Sequence, residues 1–539
     1  MTTLQQPPSF LKYVPNALAF GTSGLRGLVT DITDLETYIN IKGALAYLFA
    51  IGDTQPGAGV VLAEDLRPSS DRIMRACARA IEDSRCSVEN AGKVPTPALV
   101  LRSMKKKECG VMVSGSHIPF DRNGIKINKS VGEVLKSDEE GIVREVTRVR
   151  AEEYAKSAKD SIFDENGMLK DTPELPLVNA SAQDEYVARY VNAFPHGLLK
   201  KKRIVVYQHS AVGRDLLPKI LESLGAEVVT CGKSDVFIPV DTENITNEEL
   251  ALLERYVTEA ETSGGAVDAL VSTDGDSDRP LVIAVLPKGT TPRVRFLPGD
   301  LLGVIAAGYL KADAASVPIS TNDAVEKRAS DIGMAIEKTR IGSPFVVASI
   351  ENQRRNKAFS RVVGWEANGG FLVGSEIKLD GGMLAPLPSR DSTLPILANF
   401  GAAIRAKISL AKLWDALPKR FGRAGLIDNF PVATSRAIVA ALTPAGGKIE
   451  SEVSTDLADL LARFFTKADG FGRPLKINVL DGVRIWFDNG DVAHIRPSGN
   501  APQLRIYANA DSQERADKIV QLGLREPDGI LRALENAFK

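Results

Sequence analysis

The sequence is poor in cysteine, and the cysteines it has form no recognisable framework. Its 539 residues include 4 cysteines, and none of them shows the paired spacing that is typical of metal ligands. Cys77 and Cys109 lie within apolar segments, where a free thiol behaves as a small buried hydrophobe. The cysteines therefore indicate buried thiols in a protein of a reducing compartment.

The chain also lacks an excess of charge and a long apolar run. It has 67 basic and 68 acidic residues and a net charge of -1, which argues against a nucleic acid bound by bulk electrostatics. No apolar stretch approaches the ~20 residues that span a bilayer, and the first residues lack the regions of a signal peptide. We expect a cytoplasmic protein with no membrane segment and no nucleic-acid partner.

What the sequence does contain is an alternation of short apolar strands and amphipathic helical stretches, which predicts an α/β fold with mostly parallel sheets. A chain of 539 residues is too long for one core, because domains average roughly 150 residues. Breaks in the pattern predict four domains, at residues 1–198, 199–310, 311–427 and 428–539, of which the last is a smaller α+β domain. The predicted strands include residues 59–63, 111–114, 203–207, 226–230, 269–273 and 361–364.

Three carboxylates alternate in one short loop, Asp274-Gly275-Asp276-Ser277-Asp278, and Arg279 follows at once. Alternate residues of an extended turn point the same way, so the three aspartates can offer oxygen ligands to a hard divalent cation. The arginine adds a planar fork suited to phosphate. The alternative is an acidic surface turn. An EF-hand is disfavoured, because Arg279 and Val285 occupy the positions where that motif needs Gly and Glu.

Three further loops carry polar side chains, and the first two of them follow predicted strands, where ligands of α/β sheets bind. Residues 114–119 (Ser-Gly-Ser-His-Ile-Pro) offer a serine that can act as a nucleophile, although Ser-Gly is also an ordinary turn. Residues 364–370 place a carboxylate and an amide where they suit sugar hydroxyls, and residues 496–500 with Arg505 have the composition of an anion clamp. A simple turn remains the alternative for each of these loops.

These loops occur in an order that, together with the Gly-Thr-Ser-Gly-Leu-Arg-Gly segment at residues 21–27, resembles the α-D-phosphohexomutases. That family includes phosphomannomutases, phosphoglucomutases and phosphoglucosamine mutases. The resemblance spans essentially the whole chain, and Asp65-Leu66-Arg67-Pro68-Ser69 also resembles a segment of the family. It implies four domains around a central cleft, namely three related mixed-sheet α/β domains and a C-terminal α+β domain.

The resemblance also implies a role for each loop. Phosphorylated Ser116 would donate the phosphoryl group, with Mg2+ held by Ser116, Asp274, Asp276 and Asp278. Lys126 would act as a general acid or base, for which it would need a lowered pKa near neutrality. His117 would exchange a proton beside the phosphoserine, and Arg26 would order the phosphoserine pocket. The substrate-binding residues would be Arg279, Glu366, Asn368, Arg496, Ser498, Gly499, Asn500 and Arg505.

The implied reaction moves phosphate between O1 and O6 of a hexose through a hexose 1,6-bisphosphate, which would also serve as activator. The loop at residues 364–370, here called the sugar loop, is atypical because Trp365 is inserted between the usual Gly and Glu. Phosphomannomutase is preferred over phosphoglucomutase or phosphoglucosamine mutase, because the loop lacks the Glu-Glu-Ser form of many phosphoglucomutases. A noncatalytic sugar-phosphate-binding member is an alternative, and we expect a monomer or dimer. A phosphatase with Asp274 as nucleophile is disfavoured, because Asp278 stands where that motif needs Thr or Val.

Overall fold

The structure is a computed structural model that describes residues 8–21, 24–243, 245–444, 446–498 and 502–539. The chain forms two compact units. The first ends at Ser316 and resumes over Gly342–Trp414, and the second consists of Val317–Ile341 and Asp415–Lys539. None of the described helices combines the length and the apolar character that crossing a bilayer requires.

The first sheet has seven strands in the order β1-β2-β6-β5-β3-β4, with β7 beside β6. Strand β3 pairs in parallel with β4 and β5, whereas β6 runs antiparallel to β5 and β2. The strands and helices of this part are β1 (Ala19–Gly21), β2 (Gly24–Leu28), α1 (Asp34–Ala50), β3 (Gly59–Glu64), α2 (Ser70–Asp83), β4 (Ser87–Lys93), α3 (Thr96–Lys106), β5 (Cys109–Val113), β6 (Arg122–Lys129), β7 (Gly132–Glu133), α4 (Glu139–Tyr154) and α5 (Ser181–Ala193). Every residue of β3 and β5 is buried, which is typical of central strands covered on both faces.

The second sheet has five strands in the order β12-β11-β10-β8-β9. Its elements are β8 (Arg203–Tyr207), α6 (Leu216–Ser223), β9 (Glu227–Cys231), α7 (Asn247–Gly264), β10 (Ala269–Thr273), β11 (Pro280–Val285), β12 (Val294–Phe296) and α8 (Gly299–Tyr309). Helix α7 begins with a capping box, in which Thr246 and Glu249 satisfy each other's backbone amides. The tight connection between β10 and its antiparallel neighbour β11 is residues 274–279, here called the aspartate loop.

The third part of the chain comprises β13 (Ala314–Pro318), α9 (Ala324–Asp331), β14 (Ala335–Thr339), α10 (Ser343–Arg355), β15 (Val362–Trp365), β16 (Phe371–Val373), β17 (Ile377–Lys378), β18 (Met383–Leu384), β19 (Leu387–Asp391), α11 (Thr393–Ala406) and α12 (Leu410–Asp415). Within the first unit, β13 pairs in parallel with β15, and β16 runs antiparallel to β15 and β19. Helix α9 and strand β14 belong to the second unit. All three of these sheets are mixed, so the expectation of mostly parallel sheets was wrong, whereas the mixed-sheet architecture implied by the resemblance is confirmed.

The second unit contains an antiparallel sheet of six strands in the order β20-β25-β24-β23-β22-β21. Its remaining elements are β20 (Phe421–Ile427), α13 (Val432–Ala441), β21 (Glu450–Glu452), α14 (Thr455–Ala462), β22 (Pro474–Asn478), β23 (Val483–Phe487), β24 (Val492–Pro497), β25 (Leu504–Ala510), α15 (Gln513–Leu524) and α16 (Ile530–Ala537). Apolar side chains of the sheet and of α13 to α16 form one buried cluster. The α+β character of this part is confirmed; the domain boundaries drawn from the sequence remain predictions.

Candidate active site

Ser116 lies in the loop that follows β5, at the carboxyl end of that strand. Its side chain is buried, and its Oγ donates a hydrogen bond of 2.5 Å to Asp274 Oδ2. The backbone of Ser116 has φ 57°, a left-handed conformation that costs a residue with a side chain on the order of 1 kcal/mol or more. A buried hydroxyl bonded to a carboxylate on a strained loop is suited to nucleophilic chemistry.

The three aspartates after β10 converge. One oxygen from each of Asp274, Asp276 and Asp278 lies within 4.8 Å of the others, and all three residues are fully buried. Asp274 Oδ1 fixes the turn by accepting the amides of Asp278 and Arg279, both at 3.1 Å. Burial together with the charges of Asp276 and Asp278 raises the pKa of Asp274 well above its usual range.

This cluster has the chemistry of a cation site. Oδ1 of Asp276 and Oδ1 of Asp278 are buried and accept no hydrogen bond from the described residues, although a buried carboxylate oxygen without a partner is costly. A hard divalent cation takes oxygen ligands, and carboxylates are the ones it prefers. The residues present therefore fit Mg2+.

Lys126 faces the same aspartates because β6 runs antiparallel to β5, which places Lys126 opposite Met112. Its Nζ donates to Asp276 Oδ2 at 2.5 Å and to Asp278 Oδ2 at 2.8 Å. Burial disfavours the ammonium, but the two carboxylates outweigh burial and raise the pKa of Lys126. This rise is opposite to the lowering of the pKa that Lys126 would need to act as a base near neutrality. The side chain of Lys126 is therefore charged in this arrangement.

Arg26, His117 and Arg279 surround the cluster with positive charge and one neutral ring. Burial and the nearby charges of Arg279 and Arg390 lower the pKa of Arg26 to about 10. Burial, Arg279 and Arg26 hold the pKa of His117 at about 2, so the ring is neutral near pH 7, with its Nδ1 3.3 Å from Ser116 Oγ. Arg279 Nε lies 3.9 Å from Asp274 Oδ2 and 3.8 Å from Asp278 Oδ1.

The atypical sugar loop follows β15. Glu366 and Asn368 are both buried, and Asn368 Nδ2 lies 3.5 Å from Glu366 Oε2. The inserted Trp365 is 0% exposed, stacks on Phe371 with ring centroids 5.8 Å apart, and donates its Nε1–H to Asp300 O at 3.0 Å. Trp365 thus anchors the loop to the start of α8 and uses its own polar atom in doing so. The side-chain polar groups that the loop can offer to a ligand are those of Glu366 and Asn368.

Arg390 is a site residue that the sequence patterns did not indicate. It is 3% exposed, and its Nε and Nη2 lie 3.1 and 2.8 Å from Asp278 Oδ2, while its Nη1 donates to Glu366 Oε2 at 3.1 Å. The side chain therefore joins the aspartate loop to the sugar loop. The available signal was a charged Ser-Arg-Asp-Ser segment at 389–392 just before an apolar helix, but no local pattern indicates which carboxylates it contacts.

The predicted phosphate loop lies in the second unit. Arg496 and Arg505 are directly opposite each other on β24 and β25, a pairing of like charges that is unfavourable unless an anion or a carboxylate compensates it. Arg496 Nε lies 3.1 Å from Asp481 Oδ2, and the amide of Ser498 donates to Gln503 O at 2.9 Å. Gly499 and Asn500 lie outside the described residues.

Comparison with known proteins gives the assignment. Models of the phosphoglucomutase/phosphomannomutase family match four consecutive parts of the chain: alpha/beta/alpha domain I at residues 17–153, domain II at 184–285, domain III at 298–421 and the C-terminal domain at 429–522. The chain belongs to the phosphoglucomutase/phosphomannomutase family. It is therefore a phosphohexomutase, an intramolecular phosphotransferase.

Individual relatives agree with the assignment over almost the full length. A phosphomannomutase of Salmonella muenchen is 36% identical over 509 residues, which cover 94% of this chain and 95% of that protein. A phosphomannomutase of Sinorhizobium fredii is 38% identical over 506 residues, with 94% and 98% covered. The crystal structure of a family protein from Burkholderia thailandensis has the same fold, with a TM-score of 0.65, 17% identity and 96% and 97% of the two chains covered.

Proposed function

We propose that this phosphohexomutase interconverts mannose 1-phosphate and mannose 6-phosphate through phosphorylated Ser116 and a hexose 1,6-bisphosphate. The observation that carries the proposal is the hydrogen bond of 2.5 Å between Ser116 Oγ and Asp274 Oδ2, which joins the serine to the carboxylate cluster. The two phosphomannomutases that share more than a third of their residues with this chain support mannose as the sugar.

Phosphoryl transfer is mainly a matter of positioning and of compensating the charge spread over the phosphate oxygens. Mg2+ held by Asp274, Asp276, Asp278 and a phosphoserine oxygen would supply part of that compensation when bound. Arg279 and Arg26 add fixed positive charge around the cluster. Lys126, charged as it is here, is suited to giving a proton to a departing oxygen or to neutralising phosphate, and His117 stays neutral beside Ser116.

Each of the two predicted binding loops would recognise a different group of the substrate. Glu366 and Asn368 would accept and donate hydrogen bonds to ring hydroxyls, and Arg390 would hold Glu366 in place. Arg496 and Arg505, with Ser498, Gly499 and Asn500, would bind the phosphate group that is not transferred. A hexose 1,6-bisphosphate would serve as activator by phosphorylating Ser116. A cytoplasmic location and a monomeric or dimeric state remain part of the proposal.

The test compares mannose, glucose and glucosamine 1-phosphates in one coupled assay with Mg2+ and a trace of the matching 1,6-bisphosphate. We expect the highest kcat/KM with mannose 1-phosphate. A higher value with glucose or glucosamine 1-phosphate would replace the proposed sugar, and no turnover of any of the three would overturn the proposal.

The nucleophile is tested separately, with labelled 1,6-bisphosphate and peptide mapping. Ser116→Ala should take up no phosphate and should lose turnover, while its circular dichroism stays that of the unchanged protein. Label on another residue, or full activity of the variant, contradicts the role of Ser116.

A further inference from the structure

Arg67 follows β3 and has a side chain that is 0% exposed, yet nothing in the proposed reaction uses it. A guanidinium group has five N–H donors and no acceptor, so burying it without partners is expensive. In this structure every one of the five donors of Arg67 has an acceptor. The five donors are directed at Asp65 Oδ2 (Nε, 3.2 Å), Pro119 O and Arg122 O (Nη1, 2.7 and 2.9 Å), and Ser116 O and Ile118 O (Nη2, 2.8 and 2.5 Å).

Four of these five acceptors are backbone carbonyls of one short segment, residues 116–122, which contains Ser116. A single planar group therefore fixes the direction of four peptide units at once. The fifth acceptor, Asp65, is itself held by Ser70 Oγ and Ser114 Oγ, both at 2.7 Å. The anchor for the loop is thus tied to the end of β3 and to the end of β5.

The space around the guanidinium is filled on two sides. Arg67 Cζ lies 4.0 Å from the centre of the Phe237 ring, a cation–π arrangement. On the loop side, a Cβ atom at Gly115 would lie 2.7 Å from Arg67 Cζ, closer than any real Cβ contact allows. Residue 115 must therefore be glycine as long as the guanidinium occupies this position.

The left-handed backbone of Ser116, at φ 57°, needs such an anchor, because the strain is released if the loop is free to relax. We propose that Arg67 is the positioning residue of the phosphoserine loop: by holding Ser116 O and three neighbouring carbonyls, it fixes the peptide that directs Ser116 Oγ at Asp274. Arginine is required because a lysine ammonium has three donors and no planar fork. This inference rests on the proposed role of Ser116.

The first test uses Arg67→Ala and Arg67→Lys in the full-length protein with mannose 1-phosphate, Mg2+ and activator. We expect kcat to fall about a hundredfold, as for a misplaced reacting group, while KM changes less than threefold, since Arg67 contacts neither predicted binding loop. Millimolar guanidinium chloride should restore kcat of Arg67→Ala at least tenfold, and the same concentration of sodium chloride should not.

Arg203 provides the matched control, because it is a buried arginine of the same unit that donates to Ala260 O, Gly265 O and the Glu227 carboxylate. Arg203→Ala should lower the urea midpoint of unfolding but leave kcat within twofold, with no response to guanidinium. If Arg67→Ala loses activity only as much as its unfolding explains, and guanidinium restores nothing, Arg67 is a structural residue and the inference is wrong.

A second variant keeps the test decisive if Arg67→Ala does not fold. Gly115→Ala retains the guanidinium but displaces it, so it should lower kcat in the wild-type background and have little further effect in Arg67→Lys. Additive effects of the two changes would refute the inference. A wild-type enzyme that turns over none of the sugar phosphates would overturn the proposed function and this inference with it, whereas an active enzyme indifferent to Arg67 overturns the inference alone.

Discussion

Replacing Arg390 tests whether the aspartate loop and the sugar loop act as one assembly. The change Arg390→Met keeps most of the side-chain volume but removes the positive charge between Asp278 Oδ2 and Glu366 Oε2. Both carboxylates are buried, at 0% and 6% exposed. Breaking a buried ion pair from one side costs about 3–5 kcal/mol where the remaining charge is left uncompensated. Asp278 keeps Lys126 Nζ at 2.8 Å, so the cost falls mainly on Glu366 and should lie at the lower end of that range. We expect a loss of that size in the free energy of unfolding.

Activity should fall more than stability alone explains. Without Arg390, Asp278 and Glu366 lose the bonds of 2.8 and 3.1 Å that orient them, and a misplacement of about 1 Å can cost about a hundredfold in rate. Arg390→Lys should recover part of the stability but little activity, since one ammonium cannot span both carboxylates as a planar fork does. Urea unfolding and kcat/KM for mannose 1-phosphate measure the two effects.

The comparison needs a variant that removes one partner only. Glu366→Gln keeps the shape of the side chain and leaves Arg390 on Asp278, so its loss of stability should be smaller than that of Arg390→Met. In the double variant the two losses should be less than additive, because the groups are in direct contact. Arg390→Met with an unchanged urea midpoint and kcat/KM within twofold of the wild type would refute the reasoning.

Two further predictions concern the second unit. Arg505→Ala should raise KM for sugar phosphates about 10- to 100-fold, the effect of losing one charge-assisted hydrogen bond. The change should not lower stability, since it removes the like charge opposite Arg496. An unchanged KM would contradict the phosphate-binding role. Burial and Arg484 lower the pKa of His494 to about 3, well below its unfolded value of about 6.5. The unfolded chain then binds the additional proton, so stability is full above pH 6.5 and falls by up to about 1.4 kcal/mol per pH unit as the pH drops towards 3. His494→Gln should flatten that slope in urea unfolding followed from pH 7 to pH 4, and an identical slope would show that other groups cause it.

Local pattern was sufficient where a feature depends on consecutive residues. The sequence predicted strands at 203–207 and 269–273, and the structure has β8 and β10 at those bounds. The aspartate loop was found because its three carboxylates alternate directly after a buried strand. Such features need only a short apolar run, here buried along its whole length, and the position where it ends.

The contacts of the candidate site depend on residues far apart in the chain, and there the sequence was insufficient. Strand β6, with the sequence Arg-Asn-Gly-Ile-Lys-Ile-Asn-Lys, is polar by local pattern, and only its pairing with β5 brings Lys126 to the aspartates. Arg390 meets Asp278 across 112 positions of sequence. Lys126 would need a lowered pKa to act as a base near neutrality, and no local pattern shows that Asp276 and Asp278 lie beside it and raise its pKa instead.

The glycine at position 303 limits the order in which this sugar loop can have been assembled. A Cβ atom there would lie 2.2 Å from Trp365 Cδ1, so the indole and any larger residue at 303 exclude each other. The glycine must have preceded the tryptophan along any path of viable single changes. In the opposite direction, losing the indole first would leave a cavity costing about 3–5 kcal/mol, so the loop form is difficult to abandon by one substitution at a time.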